Sequence, residues 1–406
     1  MKRFFFILLW AQISLLFTYD TQYWHISLCV LIICLLALFI RARLSAQQGI
    51  IMVVVLTVTI MIYGNYTNNE NLLKNISGQT VYIKGKIQCY NEQKDLRIVK
   101  ISEINHKRVW HCNVVVKDLH KAMAFSDTKI LDMNGLMMLE IGSCRENPNV
   151  MSYNKYLKST GILGTGKIKD VGESDQGFLV SESNMYSFRN MRLRLFLTIK
   201  ERLINLFSSE YNLYSGMILG SKKDIDPELY EAFNRLGVSH ILTVSGLHFG
   251  VLYMVITSLC SVLKLTKKKT HLLVILLFCV FLFIIGFKIS ALRAASMCLL
   301  LIYSFYNKRP YDLLNILSLI GVLCLMFTPW MVVNLAFQLS FSAVYAIGRV
   351  YPYVRAKFKK KSLLLDLVIL SLVIQMLSLP LTMYYWNRIY LLSALVNTLV
   401  CILIAF

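Results

Sequence analysis

The chain has 406 residues, of which 56% are hydrophobic and 16% charged, and its formal net charge is +21. This composition excludes a disordered chain and an ordinary soluble protein, and it indicates an integral membrane protein. The excess of basic residues therefore has to be assigned to membrane topology before it is taken as affinity for nucleic acid.

Apolar segments long enough to cross a bilayer recur through the chain. They lie at 24–40, 49–63, 240–262, 271–287, 289–306, 311–328, 331–348, 363–383 and 389–406, and a shorter one lies at 4–17. The short segment follows Lys2 and Arg3 but lacks a small-residue cleavage site, so we expect a first span and not a signal peptide. The sequence thus predicts a membrane α-helical bundle of about ten spans.

The basic residues orient these spans. With the N-terminus in the cytoplasm, the clusters at 41–43, 264–269, 308–309 and 355–361 all fall on the cytoplasmic side, as the positive-inside rule requires. Much of the net charge is therefore topological. The one long polar stretch, 65–188, is then extracytoplasmic.

The extracytoplasmic stretch has the pattern of a small β domain. QTVYIKGKIQ (79–88) alternates apolar and polar residues, which is typical of a half-buried strand. Four further strand-like segments follow, and a short helix, VMSYNKYLKS, ends before Gly161. We expect an OB-like β-barrel. Such barrels often bind oligonucleotides, but basic residues barely outnumber acidic ones here, so a folded spacer or assembly platform is an equally open interpretation.

Three cysteines, Cys89, Cys112 and Cys144, fall in this domain, where a disulfide is permissible. Cys89 and Cys112 both lie on predicted strands and form the possible pair. Three free thiols are the alternative.

Residues 189–208 form a basic amphipathic segment. Arg189, Arg192, Lys200 and Arg202 interrupt an apolar pattern at helical spacing. The pattern favours a helix in the membrane surface, in contact with lipid. The alternative is an ordinary helix packed on the barrel.

An unusual apolar run, HILTVSGLHFG (240–250), contains His240, Ser245, Gly246 and His248. Ser245 and His248 could share a helix face, but no Asp or Glu lies nearby to orient the histidine, which disfavours a hydrolase. No acid or thiolate completes a metal site with the two histidines. We therefore predict no catalytic residue, cofactor or metal, and interpret the run as a polar break in a membrane helix.

Later segments carry polar residues at helical spacing. Polar side chains persist in lipid where they face protein or water. The stripes are Ser290 with Arg293; Asn334, Gln338, Ser342 and Tyr345; Ser371, Gln375, Ser378 and Thr382, with Pro380 in the same helix; and Ser393 with Asn397. Hydrogen bonds between helices would explain any single stripe. Several stripes together with Arg293 favour a polar path through the helical bundle.

The charges in this region restrict what such a path could carry. No acid occurs between Glu231 and Asp312, and the only later one is Asp366. A path for cations or protons normally contains carboxylates. The composition therefore favours an anion, including a phosphodiester backbone.

Four stretches together resemble the ComEC family of competence proteins. They are SGMILGSKKDIDPELYEAFNRLGVSHILTVSGLHFG (215–250), ISALRAASM (289–297), PYDLLNILSLIGVLCLMFTPWMVVNLAFQLSFSA (310–343) and LSLPLTMYYWNRIYLLSALVN (377–397). ENPNVMSYNKYLKSTGILGTGKI (146–168) is similar to the end of the family's outer domain. The resemblance implies a channel for single-stranded DNA in the bacterial inner membrane. Its motif positions here are His240, Ser245, Gly246, His248, Ser290, Arg293, Asn334, Gln338, Ser340, Pro380 and Asn397.

The resemblance also implies an organisation and a set of partners. The expected domains are N-terminal spans at 1–64, the OB-like domain at 65–188, the surface helix at 189–208 and the channel core at 209–406. Expected partners are a competence DNA receptor, a DNA-translocating helicase and a separate nuclease. Many family members carry a metallo-β-lactamase-like domain with an HxHxDH motif, which this chain lacks, so the core is expected to be incomplete beyond Phe406. A transporter or flippase of another anion and a non-conducting assembly scaffold are the alternative functions.

Overall fold

The computed structural model describes residues 4–19, 46–91, 96–117, 131–140, 157–168, 179–182, 188–207, 211–220, 225–242, 244, 246–286, 289–306, 312–358, 362–387, 389 and 393–405. They divide into two compact units. Unit 1 is Met1–Asn190 with Ser318–Asn334, and unit 2 is Met191–Leu317 with Leu335–Phe406. The predicted span at 24–40 lies outside the described residues.

Unit 1 begins with two helices, α1 (Phe4–Tyr19) and α2 (Ala46–Asn75). Helix α2 has 30 residues and runs through Gly64, where the sequence placed a domain boundary. Its later turns bury Tyr66 and Leu73 in the core of the β domain. One continuous helix therefore contributes to both the apolar segment and the β domain.

A buried polar contact joins the helices of unit 1. Gln12 Nε2 donates to Thr59 Oγ1 at 2.7 Å and to the Val322 carbonyl at 3.3 Å, and both polar side chains are fully buried. Thr59 Oγ1 in turn donates to the Val55 carbonyl at 2.8 Å. Hydrogen bonds of this kind hold apolar helices in register where no water is available.

The β domain of unit 1 is a six-stranded sheet. Its strands are β1 (Thr80–Asn91), β2 (Leu96–Ile104), β3 (Lys107–Lys117), β4 (Leu131–Glu140), β5 (Ile162–Ile168) and β6 (Leu179–Glu182). The order is β1-β2-β3-β5-β4-β6, and β1 also pairs with β4. All these pairings are antiparallel except the β3–β5 pairing, which is parallel. The sequence predicted a barrel, and the structure has a single small sheet.

Strand β1 has the alternation that its sequence predicted. Val81 and Ile83 are buried, whereas Lys84 is exposed. β2 and β3 form a hairpin whose two turn residues, Asn105 and His106, have φ angles of 46° and 63°. Two consecutive positive φ values are typical of a type I′ turn, which matches the twist of the strands it joins.

The core of the sheet includes a tryptophan from much later in the chain. Trp330 lies in a 3-10 helix, Pro329–Val333, and packs with Val81, Ile83 and Val114. Its indole stacks on the Tyr66 ring, with 4.8 Å between the ring centroids and 21° between the planes. Stacked aromatic pairs contribute about 0.5–1.5 kcal/mol beyond their buried area.

Cys112 also lies in this core and is a free thiol, so the predicted pair with Cys89 is wrong. Cys89 pairs with Ile98 of β2, and Cys112 pairs with Ile101 from the other side of β2. Their backbones are therefore at least about 9–10 Å apart, since β1 and β3 are separated by two interstrand spacings of about 4.8 Å. That separation is too long for a disulfide. Burial raises the pKa of the Cys112 thiol to about 12, which keeps it protonated and unreactive at neutral pH.

Unit 2 is helical in its described residues. After α3 (Phe188–Phe207), whose first residues belong to unit 1, and α4 (Tyr211–Tyr214), a π-helical turn covers Ser215–Leu219. The later helices are α5 (Pro227–Arg235), α6 (Gly246–Val262), α7 (Lys267–Ile285), α8 (Ile289–Tyr306), α9 (Leu313–Phe327), α10 (Leu335–Tyr345), α11 (Tyr351–Arg355), α12 (Leu363–Trp386) and α13 (Ser393–Ala405). The later part of α9, from Ser318, belongs to unit 1.

Three helical stretches in the described part of the chain are long and apolar enough to span a membrane: Gln47–Asn75, Lys267–Ile285 and Leu363–Trp386. Four shorter apolar stretches are Phe4–Leu16, His248–Val262, Ala291–Ser304 and Leu313–Phe327. The described residues therefore support a helical membrane protein without reaching the expected count of about ten spans.

The contact between Gly161 and Trp330 gives a prediction about stability. A Cβ atom at Gly161 would lie 2.6 Å from Trp330 Nε1, and Gly161 has a φ of +79°. Gly161→Ala should destabilise the β domain by about 1–2 kcal/mol through the backbone and by about 1–3 kcal/mol more through overpacking, since Tyr66 holds the indole in place.

Gly78→Ala is the matched control, since Gly78 has a φ of +82° with nothing within 4 Å of the added methyl group. Thermal unfolding of the purified full chain in detergent, followed by tryptophan fluorescence, measures both variants. Equal destabilisation by the two substitutions would contradict the proposed packing.

Candidate functional site

The run HILTVSGLHFG includes the end of one helical element and the start of another. A 3-10 helix covers Ser239–Leu242, and α6 begins at Gly246. The side chains of His240 and Ser245 lie outside the described residues. His248, in the first turn of α6, is half-buried.

The 3-10 helix packs closely on the preceding π-helical turn. A Cβ atom at Gly216 would lie 2.5 Å from Ile225 Cδ1 and 3.3 Å from the Leu242 carbonyl oxygen. Leu242 itself is fully buried. Gly216 therefore permits the close approach that holds the segment before the break.

Helices α6 and α8 bring the SGLH and LRA motifs together. A Cβ atom at Gly246 would lie 3.8 Å from the Ala294 Cβ, an ordinary van der Waals separation. Around this contact Phe249, Phe278 and Ala295 form a core without exposed surface. Arg293, beside Ala294 in the chain, is only 9% exposed. A guanidinium is thus almost fully buried in unit 2. α8 begins at Ile289, and the side chain of Ser290 is not among those described.

The two acids that follow this core in the sequence have structural partners. Asp312 caps helix α9, where its Oδ1 accepts from the backbone N–H groups of Leu314 and Asn315 at 3.1 and 3.2 Å. Asp366 pairs with Arg355 near the start of α12. Both carboxylates are therefore engaged locally, in a helix cap and an ion pair.

The polar stripes on α10 and α12 make contacts between helices. Gln338 hydrogen-bonds to Tyr385, and Thr398 Oγ1 of α13 donates to Ser371 Oγ at 3.1 Å. Interhelical bonding thus accounts for Gln338 and Ser371. Tyr385 and Thr398 were missed from the sequence. Tyr385 continues the step of three to four residues that ends at Thr382, so the same periodicity could have identified it.

Other hydroxyls of the stripes bond within their own helices. Ser342, Ser378 and Thr382 donate to the carbonyls of Leu339, Gln375 and Leu379 at 2.9, 3.0 and 3.0 Å respectively. The Ser340 hydroxyl is buried without a hydrogen-bond partner.

Two further predicted positions lie near the end of the chain. Pro380 lies inside α12, where its missing N–H frees the Met376 carbonyl. Asn397 is half-buried on α13, beside Thr398 in the chain.

Asn334 is set apart from the other stripe residues. It belongs to unit 1 and is 7% exposed. Its Nδ2 donates to the Ser159 carbonyl at 3.2 Å and lies 3.4 Å from Ser159 Oγ. The next stripe residue, Gln338, belongs to unit 2.

The predicted surface segment is helix α3. Its inner side packs Leu203 with Tyr211 and Leu219, and Lys200 Nζ lies 5.8 Å from the centroid of the Tyr211 ring. Arg192 lies at the end of α7, where a Cβ on Gly286 would be 2.6 Å from its Nη1. A cation suits this position because the C-terminus of a helix is partly negative.

The outer side of α3 mixes basic and apolar residues. Arg202 is exposed, and so are Met191, Leu195 and Leu206. The side chain of Arg189 is outside the described residues. Within the described part of the chain no cluster of three His, Cys, Asp or Glu could hold a metal ion.

Comparisons with known proteins agree with the motifs. The family described as "Competence protein" matches residues 217–406. The chain is 25% identical over 256 residues to ComE operon protein 3 of Bacillus subtilis, covering 62% of this chain and 31% of that protein. It is 21% identical over 285 residues to Recombination protein 2 of Haemophilus influenzae, covering 66% and 34%. An uncharacterized protein of Aquifex aeolicus is 32% identical over 124 residues, covering 30% and 29%.

The apolar helices and the sheltered polar residues on them define a helical membrane protein. Residues 217–406 match the competence family, and this match together with the two named relatives supports a ComEC-family competence protein. It spans about a third of the length of the curated relatives that it matches. No solved structure matches it significantly.

The space beside Gly246 gives a second prediction. Gly246→Ala should change the free energy of unfolding by less than about 0.5 kcal/mol, because its methyl group would meet only Ala294 at an ordinary distance. Gly216→Ala should cost about 1–3 kcal/mol through overpacking against Ile225 and the Leu242 carbonyl. Abundance in the membrane fraction and the aggregation temperature of each variant measure the difference. A Gly246→Ala variant as unstable as Gly216→Ala would contradict the geometry.

Proposed function

We propose that this protein is an inner-membrane channel component that passes single-stranded DNA into the cytoplasm during natural transformation. The observation that carries the proposal is Arg293, a buried cation between the SGLH and FQLSF motifs of the chain. The sequence from 232 to 311 contains no acid. Asp312 and Asp366, which follow, are occupied by a helix cap and an ion pair. A path lined by Arg293 and free of carboxylates would attract the negatively charged phosphates of DNA without repelling them.

Neutral donors would complete the path in this proposal. His240, Ser245 and His248 at the helix break, with Ser290, Gln338, Ser342, Gln375 and Asn397, can hydrogen-bond to phosphate oxygens without reading sequence. Pro380 would allow the bend that such a path requires. Because Gln338 also bonds to Tyr385 of another helix, the path would open by exchanging that bond for a contact with DNA. No step in this scheme is catalytic.

The proposed topology is multi-pass with a cytoplasmic N-terminus. Seven apolar stretches among the described residues, together with the predicted segments at 24–40, 331–348 and 389–406, would make ten crossings. The basic clusters then satisfy the positive-inside rule. Helix α3 would lie on the extracytoplasmic surface of the inner membrane. Arg202 would contact lipid headgroups, and the exposed apolar residues would insert into the headgroup region.

The outer domain would receive the DNA. In its six-stranded sheet β1 pairs with both β2 and β4, and β6 lies beside β4. On its outward side His106 stacks on Tyr82, with 4.8 Å between ring centroids. Lys84 and Lys100 are exposed on the same face, because they alternate with the buried Ile83 and Val99. Exposed rings among lysines suit single-stranded nucleic acid.

The proposed partners follow from this role. A DNA receptor would deliver the substrate, a DNA-translocating helicase would pull it, and a separate nuclease would remove the other strand. An alternative anionic cargo, such as a lipid or polysaccharide precursor, is compatible with Arg293 but does not use the face around Tyr82. A non-conducting scaffold would bind DNA-binding partners without any need for Arg293.

The proposal predicts that Arg293→Met lowers DNA uptake by roughly tenfold or more. A hydrogen bond to a charged group contributes about 1.5–3 kcal/mol, and methionine removes the charge while keeping much of the length. The measurement is uptake of labelled DNA in a host that lacks its own channel, at equal abundance of protein in the membrane. Arg293→Lys should retain part of the activity.

Arg349→Met is the control, because Arg349 is an exposed arginine in the same unit. Uptake unchanged in Arg293→Met would exclude the proposed path. A loss of equal size in both variants would assign the effect to general charge and would also contradict it.

A further prediction concerns the outer face. Tyr82→Ala with His106→Ala should weaken binding of single-stranded DNA to the full chain by roughly tenfold, because base stacking contributes about 1–3 kcal/mol per base. The salt dependence should stay unchanged, whereas Lys84→Ala and Lys100→Ala should each lower the slope by about one. Fluorescence anisotropy over a salt series measures both quantities. Tyr384→Ala, an exposed tyrosine on α12, is the control, and equal weakening there would refute the assignment.

A further inference from the structure

The segment Thr328–Asn334, called here the docking segment, lies within the stretch that matches the competence family but packs in unit 1. Pro329, Trp330, Met331 and Val332 are all buried. A loop between two apolar helices normally exposes some of its side chains, since connections run over surfaces. Four consecutive buried side chains therefore indicate a segment that is bound by the fold around it.

The docking segment packs against α2 and the β domain. Trp330 lies between the Tyr66 ring and Gly161, where even a Cβ atom would come within 2.6 Å of the indole. Tyr66 is itself fixed, because its hydroxyl donates to the Lys158 carbonyl at 3.1 Å. The indole thus fills a slot between the Tyr66 ring and Gly161.

A polar contact closes the far end of the segment. Asn334 Nδ2 donates to the Ser159 carbonyl at 3.2 Å. The neighbouring Lys158 Nζ lies 2.7 Å from Glu70 Oε1, and Lys74 Nζ lies 2.8 Å from the same oxygen. The Lys158–Ser159 backbone is therefore fixed both by α2 and by the docking segment.

We propose that Trp330 and Asn334 are positioning residues that bind the docking segment to the β domain, and that Asn334 anchors this contact and does not line the path. Helix α10 begins at Leu335, directly after the anchor. Its polar residues Gln338, Ser340 and Ser342 follow within about two turns. This inference does not depend on the cargo.

Cys112 provides a reporter within the same core. It is fully buried and packs in the cluster that contains Trp330. In a full-length chain with Cys89→Ser and Cys144→Ser, the rate at which a membrane-impermeant maleimide labels Cys112 measures how often this core opens. Such a rate follows the free energy of local opening and requires no DNA.

Trp330→Ala should raise the labelling rate of Cys112 at least about tenfold, and Trp330→Phe should raise it much less, because removing a buried ring costs more than reducing it. Trp386→Ala is the control, since Trp386 is 40% exposed on α12. Asn334→Asp should also raise the rate, because a carboxylate would face the Ser159 carbonyl. Gln338→Glu is its control and should leave the rate unchanged.

The inference is overturned if Trp330→Ala or Asn334→Asp accumulates normally and leaves Cys112 protected. It is also overturned if Asn334→Asp abolishes DNA uptake while the labelling rate stays at the wild-type value, because that result belongs to a path-lining residue. If Trp330→Ala does not accumulate, the labelling rates of Cys112 in Trp330→Phe and Asn334→Asp still test the inference. Both rates should exceed those of the control variants. Failure of Arg293→Met to alter uptake would leave these labelling results unaffected.

Discussion

The burial of Trp330 against Tyr66 and Gly161 is the contact on which unit 1 depends. It joins three parts of the sequence that are far apart: the later turns of α2, the end of the short helix before β5, and the turn after α9. Each part alone would expose apolar surface. The sheet cannot complete its core without the indole, and the turn cannot bury four consecutive side chains without the sheet. The charged contact of Glu70 with Lys158 and Lys74 lies at the margin of this core, where it adds orientation more than stability.

A second constraint governs the helices of unit 2. Apolar helices in lipid gain little from hydrophobic contact with each other, so small residues and polar bonds decide how they pack. Ala294 and Gly246 let α6 and α8 approach, and the pairs Gln338–Tyr385 and Ser371–Thr398 join α10, α12 and α13. These bonds serve stability in the observed arrangement. Gln338 would also serve transport if the proposed path opens, so one side chain would carry both tasks.

Charge connects the structure with the proposed function. Residues 232–311, which include Arg293, contain no acid. The two acids that follow, Asp312 and Asp366, form a helix cap and an ion pair. An unpaired carboxylate there would repel phosphate and raise the barrier for an anion, whereas local pairing removes it from the path. The β domain presents Lys84 and Lys100 beside the stacked rings of Tyr82 and His106, a combination that would suit a polyanion with flat bases.

The sequence by itself determined the membrane class, the family, the β pattern of the outer domain and the break at Gly246, because these follow from hydropathy, motifs and short-range periodicity. Periodicity also identified Gln338 and Ser371 as sheltered residues. It could not name Tyr385 or Thr398 as their partners, since a period within one helix does not specify which helix lies opposite. The same limit explains the wrong Cys89–Cys112 pair, as only the strand order shows that β2 lies between the two cysteines. Asn334 had the spacing of a path residue, and only the tertiary structure revealed its contact with Ser159, 175 positions away in the chain.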